Sequence, residues 1–226
     1  MFRGVHHAIS DRWLAQQCLL CDGPGGADPV CAACAAELPA LPPSCPRCAQ
    51  PSPAGRVCGA CLSHPPAFDA TIALWAYRYP ADRLVHALKY HGRLQLAAWF
   101  AQRLAPRTPA HDLWMPVPLH RSRLATRGFN QALEIARALV PRHRLAPTTL
   151  RRLRPTPTQS ELPPGERARN VRNAFSCAQR LDGLAIAVVD DVMTTGATLD
   201  EIARTLKREG AASVTGVIVA RTLVDT

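Results

Sequence analysis

The sequence predicts an α/β fold, a mostly parallel sheet flanked by helices, with a small cysteine-rich module ahead of it. Three observations predict it. From about Phe68 onward, strand-sized apolar runs alternate with segments of helical period, the pattern of βα units around a parallel sheet. Eight of the nine cysteines form four CxxC pairs within residues 18–61. Residues 188–199, "VVDDVMTTGATL", join an apolar strand end to a helix through two acids and a run of small, hydroxylated residues.

The cysteine pairs come first: Cys18/Cys21, Cys31/Cys34, Cys45/Cys48 and Cys58/Cys61, with gaps of 9, 10 and 9 residues between them. Each CxxC presents two thiolates to one metal, and tetrahedral zinc takes two such pairs. One or two structural four-cysteine zinc sites are therefore expected, and the spacing leaves open whether consecutive or alternate pairs share an ion. Disulfides are the rival use of such pairs, but they are rare in a cytosolic chain. Residues 15–65 are rich in Cys, Pro, Gly and Ala and poor in β-branched and aromatic residues, so metal takes the place of a core they cannot build. His64 reads as a bystander and Cys177 as a small apolar filler. The expected division is a zinc-binding module at 1–66 and an α/β domain at 67–226.

In the second part, "ATIALWAYRY" reads as a strand and "ADRLVHALKY" as an amphipathic helix, with Leu84, Val85 and Leu88 on one face. After Gly92 a second helix covers "LQLAAWFAQRLA". "LWMPVPLH" is a short strand whose prolines suit a sheet edge or a strand end. "NQALEIARALV" is a helix starting near Asn130 and stopped at Pro141. Residues 151–175, with six arginines and four prolines and no clear period, read as a long functional loop. "LAIAVVDD" is a buried strand expected to end at Val189. "ATLDEIARTLKREG" is the clearest helix, with Gly210 as its stop, and "SVTGVIVA" closes the sheet.

The turn after the acids places backbone N–H groups and a helix N-terminus at the carboxyl edge of the sheet, where α/β proteins bind ligands. Gly196 admits a bulky anion, and the hydroxyls of Thr194, Thr195 and Thr198 add donors: a cradle for a monophosphate. Asp190 and Asp191 beside it suit the vicinal hydroxyls of a sugar. The Gly-x4-Gly-Lys order of a Walker A loop is absent.

With 27 basic and 17 acidic residues the formal net charge is +10, which favours phosphates, nucleotides or nucleic acid. All but Lys89 and Lys207 of the basic residues are arginine, and a GC-rich genome produces the same bias. The N-terminus lacks the apolar stretch of a secretory signal. No apolar run approaches the roughly 18–20 residues of a membrane span, so a cytoplasmic protein is expected.

"AVVDDVMTTGAT" resembles the 5-phosphoribosyl-1-pyrophosphate (PRPP) motif of type I phosphoribosyltransferases. The resemblance implies that Asp190 and Asp191 hold the ribose and that Thr194, Thr195, Gly196, Ala197 and Thr198 wrap the 5′-phosphate, with Mg2+ accompanying PRPP. It places a pyrophosphate loop at Leu119, His120, Arg121 and Arg127, with Arg123 between them, and a flexible catalytic lid at Arg154, Gln159, Arg167 and Asn170. The catalytic set it implies is Asp190, Asp191 and Arg154, and Phe175 is offered as an aromatic for selecting a nucleobase. The paired CxxC module followed by "ALKYHG", "PVPLHRSRLATRGFNQA", "RPTPTQ", "RARNVRNAF" and "VVDDVMTTGATL" resembles, from about Cys18 to Ala220, the ComF (GntX-like) family. That family is associated with natural transformation and the use of external DNA. Two functions follow as expectations: phosphoribosyl transfer from PRPP, or binding of single-stranded DNA or of uptake-machinery proteins with PRPP as a regulatory ligand. Residues 18–61 contain no Phe, Tyr or Trp, which shifts any DNA contact toward Trp13, Tyr77, Tyr79, Tyr90 or the arginine-rich lid.

Overall fold

A computed structural model describes residues 16–155 and 171–224. The chain divides into two compact units, Met1–Leu38 and Pro39–Thr226. No helix among the described residues is long and apolar enough to cross a membrane.

The first unit carries a two-stranded antiparallel ribbon, β1 (Gln16–Gln17) and β2 (Pro24–Gly26), and one short helix, α1 (Ala32–Ala36), none of whose residues is buried. Its turns are held by backbone bonds such as Cys18 N–H to Gly23 C=O at 2.8 Å.

The second unit opens with another cysteine ribbon and the helix α2 (Gly59–Ser63). It then builds a four-stranded sheet in the order β3 (Ala70–Ala76), β8 (Ser213–Arg221), β7 (Ala185–Met193), β4 (Leu113–Pro116). All three pairings are parallel. The flanking helices are α3 (Ala81–His91), α4 (Gln95–Leu104), α5 (Arg121–Arg127), α6 (Gln131–Leu139) and α7 (Ala197–Arg208). The long apolar runs became β7 and β8 because both are inner strands, buried on two faces. Leu199, Ile202, Ala203 and Leu206 form the buried stripe of α7. Gly216 in β8 lets that helix close on the sheet, since a Cβ there would lie 2.5 Å from Leu199. β4 is the edge strand that its prolines predicted.

The free edge of β3 is covered rather than exposed. Ala40 bridges Trp75 in antiparallel fashion, Ala76 N–H donates to Pro39 C=O at 2.9 Å, and Thr71 N–H donates to Pro46 C=O at 3.0 Å. Residues 39–46, leading into the second ribbon, thus satisfy backbone groups that an open edge leaves unpaired.

Two features were not foreseen. One is α5, capped by His120. The other is a small antiparallel pair, β5 (Leu150–Arg152) with β6 (Phe175–Cys177), on either side of the arginine-rich insert. The strand expected to end at Val189 instead runs to Met193. Its pairing with β4 stops at Pro116 opposite Val189, but β8 continues alongside, with Asp190 opposite Ile218 and Met193 opposite Arg221. The acids therefore project beyond β4 while their backbone stays hydrogen-bonded.

Candidate functional site

Parallel strands bring the carboxyl ends of β3, β4 and β7 to one edge, and an open cavity of about 350 Å³ lies there. Asp190, Asp191, Thr194 and Thr198 line it from β7 and the turn beyond; Leu119, Arg123 and Arg127 line it from the segment after β4. A smaller recess of about 20 Å³ adjoins, lined by Asp190, Met193, Thr194, Gly196 and Thr198. Gly196 caps α7 at φ 86°, and a Cβ there would meet Met193 Cε at 2.7 Å. Any other residue is strained at that φ, and Met193 would have to shift to admit its side chain. Ala197 N–H donates to Thr195 Oγ1 at 3.3 Å, which orders the start of the helix.

Successive strand positions face opposite ways, so the two acids differ. Asp191 is buried and binds Lys89 Nζ at 3.1 Å. Its Oδ2 also accepts from Gln131 Nε2 at 3.2 Å, and its Oδ1 from Val192 N–H at 3.0 Å. Burial opposes the carboxylate, but Lys89 and Gln131 outweigh it and hold Asp191 below the usual range. Lys89 is raised in turn, because Asp191 and Asp190 outweigh its own burial. Burial and the charge of Asp191 push Asp190 well above the ordinary carboxylate range. The two acids are therefore held differently, Asp191 by Lys89 and Gln131 and Asp190 by burial beside a like charge.

Other expected residues fall elsewhere. His120 caps α5, its Nδ1 accepting from Ser122 N–H at 3.3 Å, and Arg121 is exposed at the start of that helix. Arg154 is exposed and donates to the Arg172 carbonyl. Gln159, Arg167 and Asn170 lie outside the described residues. Phe175 is no base platform: it is 3% exposed in the core beneath β5.

Tyr77 and Tyr90 line the cavity too, and sequence reasoning missed four further lining residues: His86, Lys89, Gln131 and Arg152. Arg152 lies with its guanidinium 5.4 Å from the Phe175 ring. Burial and the neighbouring Arg123 bring its pKa down to about 10, against the pull of Asp190. Tyr90 is 58% exposed, with the Arg127 guanidinium 5.5 Å from its ring centre. One signal for Lys89 was available, since a chain that uses arginine almost throughout keeps lysine here.

The eight paired cysteines form two clusters of consecutive pairs, Cys18/Cys21/Cys31/Cys34 and Cys45/Cys48/Cys58/Cys61, each with all Sγ atoms within 4.8 Å of one another. Tetrahedral Zn–S bonds of about 2.3 Å require S···S distances of about 3.8 Å. Cys21–Cys31 at 3.9 Å and Cys48–Cys58 at 3.6 Å meet that requirement. Burial works against the Cys18 thiolate, but N–H donors from Cys31, Leu20 and Cys21 outweigh it and bring its pKa down to about 6. Cys45 falls to about 7 in the same way, through Cys48, Cys58 and Arg47. The donor sets fit structural zinc, four sulfurs each with no open position. His64 is not part of either set. Cys177 is partly buried against the core.

A double zinc ribbon domain is matched over residues 9–62. The chain is 39% identical over 153 residues to the DNA utilization protein YhgH of Salmonella typhi, covering 62% of this chain and 66% of that one. It is 36% identical over 151 residues to the protein of that name from Escherichia coli strain K12, with the same coverage. Competence protein F of Haemophilus influenzae is 35% identical over 108 residues, 44% of this chain and 46% of the relative. The matches thus span just under two thirds of the first relatives' own length. Paired ribbons, a parallel-sheet domain and these similarities together support the resemblance to the ComF family, with an N-terminal zinc ribbon.

Proposed function

We propose that the sheet domain binds PRPP with Mg2+ and that the protein serves the uptake or use of DNA, with transfer of the phosphoribosyl group to an acceptor as its reaction. The relatives' names support the second part. The observation that carries the first is the cavity itself: two carboxylates, a glycine-opened turn at the N-terminus of α7, and Arg123, Arg127 and Arg152 around one space. Carboxylates at Asp190 and Asp191 accept hydrogen bonds from ribose hydroxyls, and the 194–198 turn gives N–H and O–H donors to a phosphate. Guanidinium forks suit pyrophosphate oxygens. Bound Mg2+ would neutralise charge on the diphosphate. In transfer the C1–O bond breaks with the electron pair leaving on pyrophosphate, and an acceptor nitrogen attacks C1. Tyr77, His86 and Tyr90 line the same cavity, which supports a role for them in meeting that acceptor.

The test is calorimetric titration of Mg2+–PRPP into zinc-loaded protein. Wild type is expected to bind and Asp190→Asn to lose binding. Because Asp190 is raised in the free protein, wild-type affinity is expected to weaken as pH falls and the acid holds its proton. The same raised value means that Asp190's contribution to stability is present below its unfolded value and is lost as pH rises through the folded one. Asp190→Asn is therefore expected to melt higher than wild type at neutral pH. Wild-type pyrophosphate release that Asp190→Asn leaves unchanged sinks the transferase assignment.

A second reading, single-stranded DNA binding without turnover, is favoured by the exposed Tyr90 beside Arg127, a stacking ring with a cation over it. Oligonucleotide binding that weakens with salt and with Tyr90→Ala supports it. Insensitivity to both removes it.

A further inference from the structure

Arg221, the last residue of β8, is 2% exposed. It pairs with no carboxylate among the described residues, although a buried cation without a counter-charge is costly. Its donors go to carbonyls on two sides. Nε donates to Cys48 C=O at 2.8 Å, inside the second cysteine cluster. One terminal nitrogen donates to Met193 C=O at 2.9 Å, to Thr194 C=O and to Thr222 C=O at 2.8 Å. Four thiolates around one zinc ion leave a net double negative charge, which supplies the counter-ion that the carboxylates do not.

Met193 and Thr194 begin the turn that cradles the phosphate in the reading above. Gly196, two residues on, holds a left-handed conformation at the start of α7. The Met193 carbonyl is also held by Thr222 N–H at 3.0 Å, whereas the guanidinium, its other donor fixed to a zinc ligand's own carbonyl, ties both first carbonyls of that turn to the second cluster. We infer that Arg221 is a positioning residue through which zinc in the second cluster sets the phosphate-binding turn. This rests on the proposed PRPP site for its ligand, but not for the coupling itself. By linkage, a ligand that orders the turn also holds the second cluster closed.

The test uses the full zinc-loaded chain with Arg221→Gln and Arg221→Lys. Both are expected to keep the zinc content of wild type. Arg221→Gln is expected to lose affinity for Mg2+–PRPP by about 10- to 100-fold, within the range of coupling between two sites, with Arg221→Lys between the two. Amide exchange at residues 194–198 should quicken in Arg221→Gln while β3 stays unchanged. In wild type, Mg2+–PRPP should slow alkylation of Cys45, Cys48, Cys58 and Cys61, read by peptide mass spectrometry, and leave Cys18, Cys21, Cys31 and Cys34 unaffected. If Arg221→Gln does not fold, the wild-type alkylation decides. Unchanged exchange at 194–198, or ligand binding without slowed alkylation, overturns the inference. If wild type does not bind Mg2+–PRPP, the proposed function fails, and exchange at 194–198 alone decides the coupling.

Discussion

The two cysteine clusters have the same ligand arithmetic and opposite settings. The first lies in a unit whose described part is residues 16–38, with two- and three-residue strands and a helix that buries nothing. Too short for a core, such a segment depends on its metal for structure. The second cluster is built into the sheet domain. Its approach segment pairs with β3, and Cys48 packs against the main core. Gln50 reaches the end of the chain twice, donating to Thr222 C=O at 3.0 Å and accepting from Val224 N–H at 3.1 Å. One zinc site makes a module; the other is a seam of the larger domain. Identical spacing therefore says nothing about what a metal site holds together.

The largest effect expected from this contrast belongs to Cys61→Ser. It should remove one zinc ion per chain and lower the melting of the sheet domain, on the order of 5 kcal/mol of the roughly 10–16 kcal/mol with which such sites bind zinc. Near-UV circular dichroism reads it directly, because Trp75, bridged to Ala40, stacks on Trp99 with ring centres 5.6 Å apart. A full complement of zinc loss with no change in that signal would break the comparison. Gln50→Ala comes next. It removes two hydrogen bonds and should cost about 1–2 kcal/mol of sheet-domain stability, with zinc content unchanged by metal analysis. Loss of zinc from this variant would show that the seam holds the cluster rather than the cluster the seam.

What could be read in advance follows the same division. Periodicity revealed β3, β7, β8, α3, α4, α6 and α7 because each buries a regular stripe, and the CxxC pairs revealed the clusters because thiolate chemistry is local. The Asp190–Thr198 turn was legible for a similar reason: twelve adjacent residues carry both its strand end and its helix start. The other side of the cavity was not. Lys89, Gln131 and Arg152 come from three separate elements, and only the tertiary fold aims them at Asp190 and Asp191. Arg221 is one of 25 arginines, and nothing in "IVARTLV" signals a guanidinium with 2% exposure. Which cluster joined the sheet was equally hidden, since Pro39, Ala40 and Pro46 act through backbone groups that every residue type shares.

The smallest expected effect is the sharpest test. Cys31→Ser should also remove one zinc ion per chain, because Cys31 belongs to the first set of four. Its Sγ accepts from Cys34 N–H at 3.5 Å at the start of α1, so losing the thiolate and its ion is expected to open residues 16–38 to protease. The sheet domain should melt within about 0.5 kcal/mol of wild type, the range of a substitution that touches none of its stabilising features. Zinc analysis thus scores Cys31→Ser and Cys61→Ser alike, and only the tryptophan signal separates them. If Cys31→Ser lowered that signal's melting as far as Cys61→Ser does, the two clusters would be one cooperative structure. If it leaves the melting in place, metal loss by itself is harmless to the sheet, and the hydrogen bonds around Cys48, Pro46 and Gln50 are what make the second ion matter.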